Sequence, residues 1–79
     1  MRTSIHTREY KALTKWLKEK RLEAGLSLRQ LGELLDVHHS IVGKVEICER
    51  RLDLVEYLDY CHALDINPME GFKIMIKAQ

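Results

Sequence analysis

Apolar residues recur along this chain at intervals of three and four, and almost nowhere in strict alternation, which is the period of helices rather than strands. The spacing predicts a first helix over 8–24, capped by Thr7, with Tyr10, Leu13, Leu17 and Ala24 on one stripe, Trp16 flanking it and Gly25 as the stop. Arg21 takes a slot on that stripe, four residues after Leu17, and a cation edging into a core requires a carboxylate partner. A second helix opens on a capping box, Ser27 with Gln30, presents Leu28, Leu31, Leu34 and Leu35, and ends at Asp36. The third runs from His38 or His39 to Ile47 with Val42 and Val45 inward. The fourth begins with another capping box, Asp53 and Glu56, and keeps Leu54, Tyr57, Leu58, Cys61 and Leu64 at helical spacing. Asn67-Pro68 starts a fifth helix, over 68–78, faced by Phe72, Met75 and Ile76. The expected fold is therefore all-α: five short helices in one domain spanning 1–79, with no repeat or linker.

Composition narrows the class. At 79 residues, 46% hydrophobic and 32% charged, the chain has a globular balance. Its longest apolar run is three residues, Ile74 to Ile76, too short for a membrane span, and no apolar segment follows Arg2 to make a signal peptide. Two cysteines, Cys48 and Cys61, build no multi-bridge framework, so a reducing, cytoplasmic setting is expected. So short a chain has little room for a deep catalytic pocket. No Ser-His-Asp or paired-carboxylate arrangement is present, and the expectation is a binding module, not an enzyme.

The net charge of +1 is modest for a nucleic-acid binder, but its distribution is not even. Residues 1–30 carry eight Lys/Arg against three acids, a net +5; residues 31–52 net −1 and residues 53–79 net −3. A basic front and an acidic rear suit a protein that turns one face to a polyanion, although solvated helix surface has the same look.

Residues 27–47 hold the pattern that bears on function. Gly32 in the second helix lets the third cross closely, Asp36 makes the turn, Val37 fills beneath it and Val42 packs back. With these inward, His39, Ser40, Gly43, Lys44 and Ile47 project from a short exposed helix. Ordered as Leu17…Arg21…Gly25-Leu26-Ser27, Leu31-Gly32-Glu33-Leu34-Leu35-Asp36-Val37 and Val42-Gly43-Lys44-Val45-Glu46, followed by Glu49-Arg50-Arg51-Leu52-Asp53 and Tyr60-Cys61-His62-Ala63-Leu64, the chain resembles the Cro/C1-type (XRE-like) helix-turn-helix DNA-binding domains from Leu13 to Ile66. It departs from their usual residues at five places: Leu28 for Gln, Gly32 for Ala, Asp36 for Gly, His38 for Ser or Thr, and Cys48 for Gly.

The resemblance implies a lambda-repressor-like fold and a transcriptional regulator, a repressor, that binds double-stranded DNA as a homodimer on a palindromic operator. It implies that Arg21 and Glu46 form a salt bridge between the first and third helices. His39, Ser40, Gly43 and Lys44 are the base-contact candidates, and Arg29, Arg50 and Arg51 the phosphate-contact candidates. Gly43 is explained equally by close approach to DNA and by close helix packing. Phe72, Met75 and Ile76 are expected to form the dimer surface. No cofactor or metal is expected, because the His38-His39 and Cys61-His62 pairs lack ligand spacing. Cys48, in a loop near the DNA face, is a candidate redox switch. Two other readings fit the same residues: the antitoxin of a toxin–antitoxin pair, with a toxin or co-regulator as protein partner, and an adaptor that keeps the fold without binding DNA.

Overall fold

The computed structural model describes all residues, 1–79, as five helices: α1 Arg8–Glu23, α2 Leu28–Leu35, α3 His39–Glu46, α4 Leu54–Leu64 and α5 Pro68–Lys77. Each begins where a side chain before it can accept a free amide of the first turn. Thr7 accepts from Tyr10, both capping boxes close reciprocally, and Asn67 accepts from Met69 ahead of Pro68. The first helix stops one residue early, with Ala24 as its C-cap. No helix is long and apolar enough to cross a membrane.

The core gathers Leu13 and Leu17 of α1, Leu31 of α2, Val42 and Val45 of α3, and Tyr57, Tyr60, Cys61 and Leu64 of α4. Helix α5 lies along α1, and α2 and α3 pack as a pair. Three leucines expected on inward faces turn outward: Leu34, Leu54 and Leu58 are all more than half exposed. In α4 the buried stripe is Tyr57, Tyr60, Cys61 and Leu64, one step round from the predicted one. Two tyrosines cover more area than two leucines, and the helix settles on the face that hides them. Val37 is also more open than its expected role beneath the turn suggests. In α5, Phe72 and Met75 are partly buried against the core, and Phe72 meets Tyr57 edge-on at 5.4 Å. Only Ile76 of the expected dimer trio stands out in solvent.

Candidate nucleic-acid interface

The α2–α3 joint sets the site. Asp36 adopts the left-handed conformation, φ 56 and ψ 43. The Val37 amide donates to the Gly32 carbonyl at 2.9 Å and the Asp36 amide to Glu33 at 3.2 Å, closing the end of α2. A Cβ at Gly32 would stand 2.8 Å from the Val37 carbonyl oxygen and 3.2 Å from the backbone of His39. The start of α3 therefore rests directly on the α2 backbone, as the glycine predicts. Cys48 is a second non-glycine residue in the left-handed region, at φ 60.

Helix α3 is pinned from behind. The Arg21 Nε and Nη2 donate to the two Glu46 carboxylate oxygens at 2.6 and 3.0 Å, and Nη1 donates to the Leu26 carbonyl at 2.8 Å. Both side chains are more than nine-tenths buried, so this two-pronged pair ties α1 to α3 inside the protein. Its carboxylate raises the Arg21 pKa above the ordinary guanidinium value.

The outer surface of α3 carries Ser40, Lys44 and Ile47, all exposed and spaced i, i+4, i+7 along one stripe; His39 and Gly43 flank it half-buried. Lys44 takes part in none of the ion pairs. At Gly43 a Cβ would find only the Leu28 Cδ1 at an ordinary 3.8 Å, so close helix packing does not require glycine there. Leu28 joins the core margin, which accounts for an apolar residue at the start of α2.

The three arginines differ. Arg29 is exposed. Arg50 donates to Glu56 at 2.8 Å while its carbonyl accepts the Tyr10 hydroxyl at 2.6 Å. Arg51 reaches back to the carbonyls of Thr3 and Ser4, at 3.2 and 2.6 Å, and holds the N-terminal arm against the fold. Cys48 does not lie open on the DNA face: it is buried, its Sγ 3.3 Å from the Thr14 Oγ1.

Sequence reasoning missed how α3 begins. The His38 Nδ1 accepts from the Ser40 amide at 3.1 Å and lies 2.8 Å from the Ser40 Oγ. A histidine where relatives carry Ser or Thr was the available signal. An unprotonated ring nitrogen caps a helix as an oxygen does.

The profile of the helix-turn-helix family matches residues 17–70. Among solved structures, the XRE-family-like protein from Pseudomonas syringae pv. tomato str. DC3000 shares 33% identity over 87% of this chain and 84% of its own, with a TM-score of 0.80. The restriction-modification controller protein C.AhdI from Aeromonas hydrophila shares 40% over 76% of this chain and 87% of its own, at a TM-score of 0.71. The clp gene regulator ClgR from C. glutamicum, 21% identical over 90% and 92%, has the same fold at a TM-score of 0.79. No curated protein matches by sequence. The buried Arg21–Glu46 bridge, the tight α2–α3 joint and these matches agree, and the chain belongs to the Cro/C1-type (XRE) helix-turn-helix family of DNA-binding transcriptional regulators.

Proposed function

We propose that the protein is a sequence-specific repressor that binds a palindromic duplex as a homodimer, with α3 in the major groove. The observation that carries this is the outward stripe of Ser40, Lys44 and Ile47 on a helix whose back is fixed by the buried Arg21–Glu46 pair. A rigid helix with exposed polar groups on its outer face is what base-edge reading requires. Lys44 suits guanine, His39 and Ser40 suit neighbouring bases, and Gly43, which packing does not need, lets the backbone approach DNA. Arg29 meets phosphate directly, whereas Arg50 and Arg51 exchange their partners for phosphate on binding.

Each half-site is read by one α3, with the two helices roughly 34 Å apart. The dimer surface is the outer face of α4 and α5. Ile76 belongs to it, joined by Leu54, Val55, Leu58 and Met69, all more than half exposed. Phe72 and Met75 support it from the core side. Ile76→Asp is therefore a cleaner test than Phe72→Ala, which would also loosen the packing on Tyr57. Selection of duplexes from a random pool tests the whole reading. The expected result is an enriched palindrome whose affinity falls steeply with salt, and an Ile76→Asp protein that sediments as a monomer. Absence of any enriched duplex would refute it.

Likeness to the controller protein C.AhdI, at 40% identity, favours control of restriction–modification genes as the biological setting. Occurrence of the selected palindrome upstream of such genes tests that narrower reading.

A further inference from the structure

We infer that His38 fixes the direction of the hydrogen bond Ser40 makes to DNA, so that Ser40 reads only bases offering an amino group in the major groove, adenine or cytosine. The inference rests on the reading of α3 as the DNA-reading helix. A serine hydroxyl ordinarily both donates and accepts and so tolerates any base. Here it is not free to do so. The backbone amide of Ser40 can only donate, and it lies 3.1 Å from the His38 Nδ1, so that nitrogen carries its lone pair and no proton. The Ser40 Oγ lies 2.8 Å from the same nitrogen, so its hydroxyl must donate as well, the two protons sharing one acceptor. The ring proton then sits on Nε2. The His39 ring lies against that of His38, centroids 4.1 Å apart and planes inclined by 32°, which restrains its rotation.

With its proton turned inward, the exposed Ser40 oxygen offers only lone pairs. Adenine N6 and cytosine N4 can donate to it; guanine and thymine present acceptors at the corresponding edges and are refused. The cap at α5 works without such a bond. Asn67 accepts the Met69 amide at 2.9 Å in the same relation, two residues on, and no hydroxyl is involved. The helix start needs only an acceptor. The added bond to the Ser40 side chain gives His38 a second role, as a positioning residue for base recognition.

Two measurements test this. In the free protein, long-range proton–nitrogen correlation of the His38 ring should show the Nε2-protonated form; a ring protonated on Nδ1 instead would overturn the inference without reference to DNA. Duplex selection is then run on the native chain, Ser40→Ala, His38→Ala and His38→Asn. The native chain should prefer adenine or cytosine by about fivefold at one position of each half-site, the worth of a single hydrogen bond, and Ser40→Ala should erase that preference. His38→Ala, which frees the hydroxyl to turn, should accept all four bases there. His38→Asn, whose amide oxygen takes both protons, should restore the choice. Because every base pair carries one amino group in the major groove, the base that Ser40 reads is identified by replacing adenine with purine or cytosine with pyrimidin-2-one at that position. A preference that survives loss of the amino group would overturn the inference. So would a His38→Ala protein that binds every sequence more weakly with its preference intact, since that is the mark of a structural cap alone. If no duplex is enriched by the native chain, the DNA reading of α3 fails and this role of Ser40 with it, while the ring protonation still reports on the bond itself.

Discussion

The molecule makes the same turn twice and uses it for different ends. Helix α2 ends at Asp36 and α4 at Asp65, both left-handed, with φ of 56 and 54. In each, the following residue, Val37 or Ile66, donates to the carbonyl five back, Gly32 or Cys61, at 2.9 and 3.0 Å. In each, the next residue caps the new helix: His38 for α3 and Asn67 for α5. The difference is where a Cβ is missing. At the first joint the glycine lies on the incoming helix, and α3 crosses hard against the α2 backbone. At the second, Cys61 fills that place, and the glycine is Gly71 on the outgoing helix, where a Cβ would meet the Tyr57 hydroxyl, Trp16 Cζ3 at 2.9 Å and Leu13 Cδ1 at 3.0 Å. One joint leaves the outer face of a helix open to solvent; the other folds a helix down onto the core. Turn chemistry alone does not set the crossing; the side chains removed around it do.

The two outgoing helices are also held differently, and the largest expected effect breaks that contrast. Helix α3 is fixed by the buried Arg21–Glu46 pair, α5 by apolar packing and the 2.6 Å bond from the Tyr57 hydroxyl to the Pro68 carbonyl. Glu46→Ala strands a buried guanidinium and should lower unfolding free energy by about 3 kcal/mol in urea denaturation. Replacing both partners with Met should recover most of the loss, because no charge is then left buried. Failure of the double variant to recover would mean the pair has a role in α3 geometry that apolar side chains cannot supply.

The glycines come next. Gly71→Ala pushes into Tyr57, Trp16 and Leu13 and should cost about 2 kcal/mol, even after the helix-propensity gain of alanine. Gly32→Ala meets backbone instead. No side-chain rotation relieves a contact with the Val37 carbonyl oxygen at 2.8 Å, so α3 itself must shift, and stability should fall by a similar amount while affinity for the selected duplex drops as well. If the two variants exchanged these signatures, the assignment of one joint to recognition and the other to the core would be wrong.

The caps sharpen the contrast at a smaller scale. Asn67→Ala should cost about 1 kcal/mol, the usual worth of an N-cap, and leave DNA binding unchanged once folded. His38→Ala should cost a similar amount in thermal unfolding but also alter binding, because it starts the helix proposed to read DNA.

Much of this was legible in the chain. Capping boxes, Asn67-Pro68 and the Gly32–Asp36 spacing are local signals, and local hydrogen bonding honours them. The Arg21–Glu46 pair was implied by an arginine on an apolar stripe together with the family spacing. What the pattern could not resolve was rotation. Leu54 and Leu58 share helical spacing with Tyr57 and Cys61, and only the competition for core volume shows that Tyr60 displaces them. Nor could spacing foresee that Arg51 would be satisfied by carbonyls of Thr3 and Ser4, nearly fifty residues away, or that Cys48 would tuck against Thr14. Such contacts depend on chain ends and loops that carry no period.

The smallest effect separates the two capping boxes. At α2 the box is neutral on its reciprocal side: the Ser27 amide donates to the Gln30 Oε1 at 2.8 Å. At α4 the Asp53 amide donates to the Glu56 carboxylate at 2.9 Å, and Arg50 donates to the same group at 2.8 Å. The Arg50 guanidinium and that amide hold the Glu56 carboxyl below its ordinary value of 4.5. A carboxyl whose folded pKa is depressed adds stability above its unfolded value and loses it as pH falls through the folded one. Below about pH 4.5 the start of α4 should therefore weaken, while Gln30, which has no proton to gain, leaves the start of α2 as it was. Because the Glu56 side chain is about one-third exposed, solvent screening keeps the contribution under about 1 kcal/mol. Hydrogen-exchange protection of the Asp53 amide should fall ahead of that of Ser27 as acid is added, and Glu56→Gln should remove the difference. Equal loss at both amides would place the acid sensitivity elsewhere, in global unfolding rather than in this box.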